Sequence, residues 1–252
     1  MSIWYIIQDY GIKNYDGPEP PFYNADDFEW TKELKSNWQT ILEEFQPWIN
    51  DIDKGELKPY YNDEIQFPPQ KWKTIGLMFW GKKNKKNWEQ FPKTTALLLS
   101  IPGLVGVSLS LLEAGAEIKP HGGETNGIIR CHLGLKIPES LPNCGFKVLD
   151  KKRSWNEGEL IMFTDAHTHT AWNKTNENRF ILLFDIIKPA YQNRKNEICR
   201  SVLAMLSMDF VARKFDLKFI YKAKKPVQLF YFKLFKIAWW FYLPIHKHLN
   251  LS

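Results

Sequence analysis

The sequence predicts a mainly β protein, an antiparallel sandwich or barrel preceded by helices and followed by a helical, amphipathic segment. Three observations carry this. Across residues 105–187, short apolar or alternating runs recur, punctuated by Gly, Pro and Asn. Upstream, Trp30, Leu34, Trp38, Ile41 and Phe45 recur at helical spacing. Downstream, residues 229–245 are almost wholly aromatic and aliphatic, interrupted by Lys233 and Lys236.

Taken in order, residues 1–25 are rich in Pro, Gly, Tyr and Asp and read as an irregular arm. A helix is expected over residues 25–49, capped by Asp26 or Asp27, with Pro47 near its end. Residues 50–75 read as loop. Residues 75–80 have the length of a strand, and the lysine-rich 82–86 reads as a solvated turn. A second helix is expected over 94–101, stopped by Pro102-Gly103. Strands are then expected at 105–112, 128–137, 146–149, 160–163, 169–172 and 180–187, closed by Pro189. Residues 196–215 read as helix. This divides the chain into an N-terminal arm with helices (1–103), a β core (104–191) and a C-terminal helical, basic-aromatic segment (192–252). Lys233 and Lys236 share one face of a helix, opposite a dense aromatic surface, which is the pattern of a helix lying in a membrane interface. The run is too short and too charged to span a bilayer, which needs about 20 apolar residues.

The apolar fraction of 44% and charged fraction of 25% are those of a folded globule, and the net charge of +6 favours anionic surroundings. Three well-separated cysteines, Cys131, Cys144 and Cys199, indicate neither a disulfide framework nor a thiolate zinc site, so reduced thiols and a cytoplasmic protein are expected. Residues 3–7 are too short an apolar run for a secretory signal.

Four of the six histidines fall in the stranded region: His121, His132, His167 and His169. His246 and His248 sit in the basic tail, where solvation is expected. His121, between Pro120 and Gly122-Gly123, stands on a turn rather than in a core. His169 opens a strand. Two imidazoles delivered from separate strands at a barrel mouth suit a divalent transition metal. Arg130 and His132 are two apart and share a strand face, while Ile129, Cys131 and Leu133 point the other way. An Arg fork and a His donor beside a metal can hold a small carboxylate, and Arg179 offers a second cation. An alternative remains in which His121, His167 and His169 hold a hydrolytic zinc. Asp185 and Lys188 are expected beyond the cavity, as solvated or paired residues.

Pro120-His121-x-Gly123, Arg130-x-His132-Leu133-Gly134-Leu135, Trp155-x-Glu157-Gly158, Phe163-x-Asp165, His169-x-x-Trp172-Asn173 and Arg179 occur in that order. Together they resemble the aspartyl/asparaginyl β-hydroxylase family, which includes bacterial lipid A and ornithine-lipid acyl hydroxylases. The resemblance covers residues 22–191, with its specific part at 110–189. Upstream, Glu33-Leu34-x-x-Asn37-Trp38-x-x-Ile41 resembles the family's N-terminal helix.

The resemblance implies a double-stranded β-helix, or jelly-roll/cupin-like, core. It also implies an iron(II)- and 2-oxoglutarate-dependent dioxygenase that uses O2 to hydroxylate an unactivated C–H, releasing CO2 and succinate. His121 and His169 would ligate Fe(II). Arg130 and His132 would hold one carboxylate of 2-oxoglutarate, and Arg179 and Ser110 the other. A carboxylate position of the metal site is Gly123 here; Glu124 and Asp165 are the nearby acids, with Asp165 expected in a supporting or structural role. Either a lipid acyl chain or an Asp/Asn side chain on a peptide or carrier is the implied substrate. The C-terminal segment favours the lipid and a peripheral membrane contact on the inner face; Gly123 resembles the peptide branch. A non-catalytic membrane- or nucleic-acid-binding jelly roll is the alternative from another class. The long unbroken apolar run of the tail argues against nucleic acid.

Overall fold

In the computed structural model the residues described are 3–8, 14–53, 57–60, 62–217, 220 and 223–249, with side chains described as far as Tyr242. His246 and His248 therefore lie outside the side chains described, and Lys222 lies outside the described residues. After strand β1 (Phe22–Tyr23), the first expected helix is two, α1 (Trp30–Ser36) and α2 (Trp38–Asn50), broken at Asn37. The stretch read as loop carries the short strands β2 (Lys58–Pro59) and β3 (Gln66–Phe67) and the start of β4 (Trp72–Phe79). The lysine-rich turn proves to hold β5 (Lys82–Lys83) and the start of α3 (Lys85–Gln90), which is capped by the Asn84 side chain. Helix α4 (Pro92–Leu99) follows with proline in its first turn, where no backbone donor is lost.

The β core runs through β6 (Leu104–Leu112), β7 (Ala116–His121), β8 (Ile128–Lys136), β9 (Cys144–Val148), β10 (Lys151–Arg153), β11 (Leu160–Phe163), β12 (His169–Asn173) and β13 (Arg179–Ile187). Strand β7 was not expected: Pro120 and the following glycines disguise a strand that ends at His121. The strands form two antiparallel sheets. One has eight strands, ordered β1-β11-β8-β13-β6-β4-β2 with β5 on β4; the other has five, ordered β10-β9-β12-β7-β3. Core strands 6, 13, 8 and 11 lie in the first and 7, 12, 9 and 10 in the second. This alternation is the double-stranded β-helix.

Residue alternation decides what each face touches. Ile129, Cys131, Leu133 and Leu135 of β8 turn outward into a core shared with Leu34, Ile41 and Phe45 of α1 and α2, Leu98 of α4 and Phe91 just before it. The inner face packs Trp72, Ile118, Phe146, Trp155, Phe163 and Ile181 between the sheets. A third core joins Val105, Ile128 and Ile187 to α5 (Lys195–Lys214), with α6 (Lys225–Leu249) laid across it through Tyr231, Phe232, Phe235 and Trp239. The Trp239 indole donates to Ser207 Oγ at 2.9 Å. Among the described residues no helix is long and apolar enough to cross a membrane.

Candidate active site

His121 closes β7 and His169 opens β12, and the two are paired directly across these antiparallel strands. That register brings their ring centroids to 4.2 Å. His121 is half-buried and His169 nearly fully buried. Each ring is oriented by its own backbone: His121 Nδ1 lies 2.8 Å from the carbonyl of Lys119, and His169 Nδ1 lies 2.8 Å from that of His167. A carbonyl only accepts, so both Nδ1 atoms carry the proton and both Nε2 atoms keep a bare lone pair. Burial lowers the His121 pKa to about 4, against the Lys119 carbonyl, and Arg130 adds to the lowering. Burial, followed by the nearness of His121, takes His169 well below the ordinary histidine value. Both imidazoles are thus neutral at physiological pH, the state a metal ligand requires.

The neighbouring donors fit a carboxylate. Trp155 Nε1, which can only donate, meets His132 Nδ1 at 3.3 Å. His132 is held neutral by burial, then by Arg179 and Arg130. Its one proton must therefore sit on Nε2, a buried donor with no partner. Arg179 is 1% exposed and stacks over Trp155 at 4.6 Å. Its Nε and Nη1 find no hydrogen-bond partner, and burial lowers its pKa to about 10, leaving it a charged cation at neutral pH. Ser110 lines the same small cavity and accepts from the Trp72 indole at 3.0 Å. His121, His169, His132, Arg179, Ser110 and Arg130 all line this cavity.

Arg130 is not an open anchor. Its Nε and Nη2 donate to the two oxygens of Asp185 at 2.8 and 3.1 Å, and its Nη1 lies 2.6 Å from Asp165 Oδ1. The last contact is an ion pair by distance, without the angles of a hydrogen bond. Burial opposes the Arg130 charge, but Asp165 and Asp185 outweigh it and hold the guanidinium well above its ordinary pKa. Asp185, expected beyond the cavity, instead lies opposite Arg130 across β13 and β8 and lines an adjoining cavity of about 370 Å³. Lys188 is paired, with Glu19 at 3.2 Å.

Burial raises the Asp165 carboxyl against the pull of Arg130, with Asp185 and Glu124 adding to the rise. Asp165 Oδ1 lies 3.7 Å from His169 Nε2, and its carboxylate occupies the space that a side chain at Gly123 would fill. Glu124 lines two of the neighbouring cavities, one of them together with His121, but not the small cavity that holds both histidines. His167 turns away, its Nε2 2.9 Å from the Glu19 carbonyl and its ring against Tyr15, so it does not join the other two. Among the described residues no three His, Cys, Asp or Glu side chains gather closely enough to hold a metal by themselves. The donor set that does fit is two bare imidazole nitrogens beside unpaired donors for an anion. Trp155 and Asp185 were not expected to shape this site. The alternation Arg179, Ile181, Leu183, Asp185 along β13 was the available signal for Asp185.

Residues 35–189 match the family model described as aspartyl/asparaginyl beta-hydroxylase. An ornithine lipid ester-linked acyl 2-hydroxylase from Rhizobium tropici is 31% identical over 75% of this chain and 68% of its own length. The aspartyl/asparaginyl beta-hydroxylase of Mus musculus is 31% identical over 64% of this chain, but only 22% of that longer protein is spanned. Among solved structures, a viral collagen prolyl hydroxylase of Paramecium bursaria Chlorella virus-1 aligns over 57% of this chain and 90% of its own, at 14% identity and a TM-score of 0.37. With its matched region extending from helix α1 through β13, this chain belongs to the aspartyl/asparaginyl β-hydroxylase family.

Proposed function

We propose that this hydroxylase is iron(II)- and 2-oxoglutarate-dependent and that it acts on the acyl chain of a membrane lipid, reached from the cytoplasmic face. The observation that carries the cofactor assignment is the juxtaposition of two bare Nε2 atoms with the unpaired donors of His132 and Arg179. Bound iron and 2-oxoglutarate supply the activation of O2, coupled to loss of CO2 and formation of succinate. The chain's own residues do the positioning. His121 and His169 are the metal ligands, oriented by backbone carbonyls so that no rotamer search precedes binding. Arg179 and Ser110 hold one carboxylate of the cosubstrate, and His132 Nε2–H donates to the other. The resemblance gives Arg130 a share in that second carboxylate; with two acids already on its fork, we assign it to positioning. It ties the loop carrying Asp165 to the sheet beside the histidine pair. The aromatic wall of Phe146, Trp155 and Phe163 excludes water from the reacting centre.

The acyl substrate rests on the cavity next door. Trp72, Met78, Val107 and Leu183 line it together with Gly76, Gly106 and Ser108, while Lys82, Glu124, Arg130 and Asp185 bring charge to the same lining. The similarity to an ornithine-lipid acyl hydroxylase is in keeping with it. Cys131, Cys144 and Cys199 are buried and form no disulfide, which fits a reducing compartment.

The test is succinate formation by purified protein with Fe(II), ascorbate and 2-oxoglutarate, with either an ornithine-lipid extract or Asp/Asn-containing peptides. Turnover stimulated by the lipid and lost in His121→Ala and His169→Ala is expected. Stimulation by peptide alone would replace the acyl reading, and turnover with zinc in place of iron would overturn the oxygenase.

A further inference from the structure

Helix α6 has two faces. One packs inward through Tyr231, Phe232, Phe235 and Trp239. The other carries Val227, Phe230, Leu234, Ile237 and Phe241, at successive spacings of three and four, and each is 42–58% exposed. A continuous apolar stripe left bare on a folded protein marks a contact surface.

We propose that this stripe docks the protein on the surface of an anionic lipid bilayer, with α6 lying in the interface plane. Charge selects this occupant. From Leu217 to the C-terminus the chain has seven lysines and no acidic residue. Lys224 and Lys233 are exposed on the helix or at its start. A second copy of the chain would bring this lysine-rich segment against its like, whereas anionic lipid attracts each nearby lysine. Lys233 and Lys236 within the helix argue for lying on the bilayer rather than crossing it.

Helix α6 also touches the lining of both cavities beside the site. Gln228 lines a groove of about 320 Å³ that includes His121, Gly122 and Gly123. Farther along, Trp239 and Tyr242 hold the ammonium of Lys82 at 5.0 and 4.8 Å, and Lys82 lines the cavity proposed for the acyl chain. A bilayer on the outer face therefore lies against the same helix that borders both cavities. Only this relation to the substrate rests on the acyl reading above; the docking does not.

The experiment is co-sedimentation of the full chain with vesicles of phosphatidylcholine alone and of phosphatidylcholine mixed with phosphatidylglycerol, without iron or cosubstrate. Binding to the anionic vesicles at least about tenfold tighter than to the neutral ones is expected, weakening with salt. Leu234→Asp combined with Ile237→Asp should abolish it, and Lys233→Glu, which disturbs no packed side chain, should weaken it severalfold. His121→Ala should bind as the wild type does even though turnover is lost, which separates failure of docking from failure of the hydroxylase reading. Undiminished binding by both stripe and lysine variants would overturn the proposal. So would a wild-type protein that ignores anionic vesicles, or one that is a dimer in light scattering and becomes monomeric in the stripe variant.

Discussion

Arg179 is a guanidinium enclosed by protein, resting on an indole, with two nitrogens unsatisfied. A buried charge of this kind weakens the free protein and strengthens the complex that neutralises it. Arg179→Met is therefore expected to leave the free protein as stable as before, or more so. The same variant should abolish the rise in melting temperature produced by 2-oxoglutarate, which in the wild type corresponds to about 2.7 kcal/mol at a hundredfold excess over Kd. Calorimetry with and without the cosubstrate checks both halves, and an undiminished rise would remove Arg179 from the site. His121 makes a prediction about pH. Its folded pKa of about 4 lies below the ordinary 6.5, so between these values the unfolded chain binds a proton that the folded chain does not. Stability of the metal-free protein thus rises with pH across that window and is lost as pH falls through it. His121→Gln should flatten the slope of melting temperature against pH between 4 and 6.5.

Helix α4 begins under the side chain of Glu44 from α2, whose two carboxylate oxygens accept from the backbone N–H groups of Lys93 and Thr94 at 2.9 and 2.6 Å. These are first-turn donors of α4, and Pro92 just before them has no N–H to offer. Glu44→Ala should cost about 1–2 kcal/mol in denaturant unfolding, as loss of a helix cap does. Phe45→Ala, one residue on, empties the core beneath the same helices and should cost about 3–5 kcal/mol. Most of the strands of the core were legible as elements because each buries one or both faces and so declares its period or its apolar run. The histidine pair was legible as chemistry. What stayed hidden was pairing. Nothing local in Lys119-Pro120-His121 announces a strand, because what holds this end of β7 is the pairing of His121 with His169 of β12, far along the chain. Arg130 read as an open cation because Asp185 reaches it only through the register of β8 with β13. Asn37 interrupted the first helix although the apolar spacing runs straight through it.

At the scale of the whole molecule, the eight-stranded sheet serves two purposes at once. Its outer face is sealed by α1, α2 and α4, while its inner face supplies Ser110, Arg130, His132 and Arg179 to the site. Residues small enough to leave room, Gly76 and Ser108, line the adjoining cavity. A Cβ added at Gly76 meets nothing within 4 Å, so a larger side chain there takes up cavity without disturbing its neighbours. On the acyl reading proposed above, Gly76→Leu is expected to cut hydroxylation of the lipid at least about tenfold while preserving the thermal response to 2-oxoglutarate. Product analysis by mass spectrometry beside melting curves distinguishes this from general damage.

The clamp on Arg130 constrains how this protein could change over time. Three nitrogens of one planar group reach two acids on different segments, one on β13 and one on the loop before β12. A lysine has a single nitrogen at the end of a flexible stem and cannot bridge both, so Arg130→Lys would strand one buried acid. Loss of Asp185 would leave the fork half empty, and a side chain at position 123 would expel Asp165 from its place. Arg130, Asp165, Asp185 and Gly123 are therefore exchanged together or not at all, a four-residue unit dispersed over more than fifty positions of sequence.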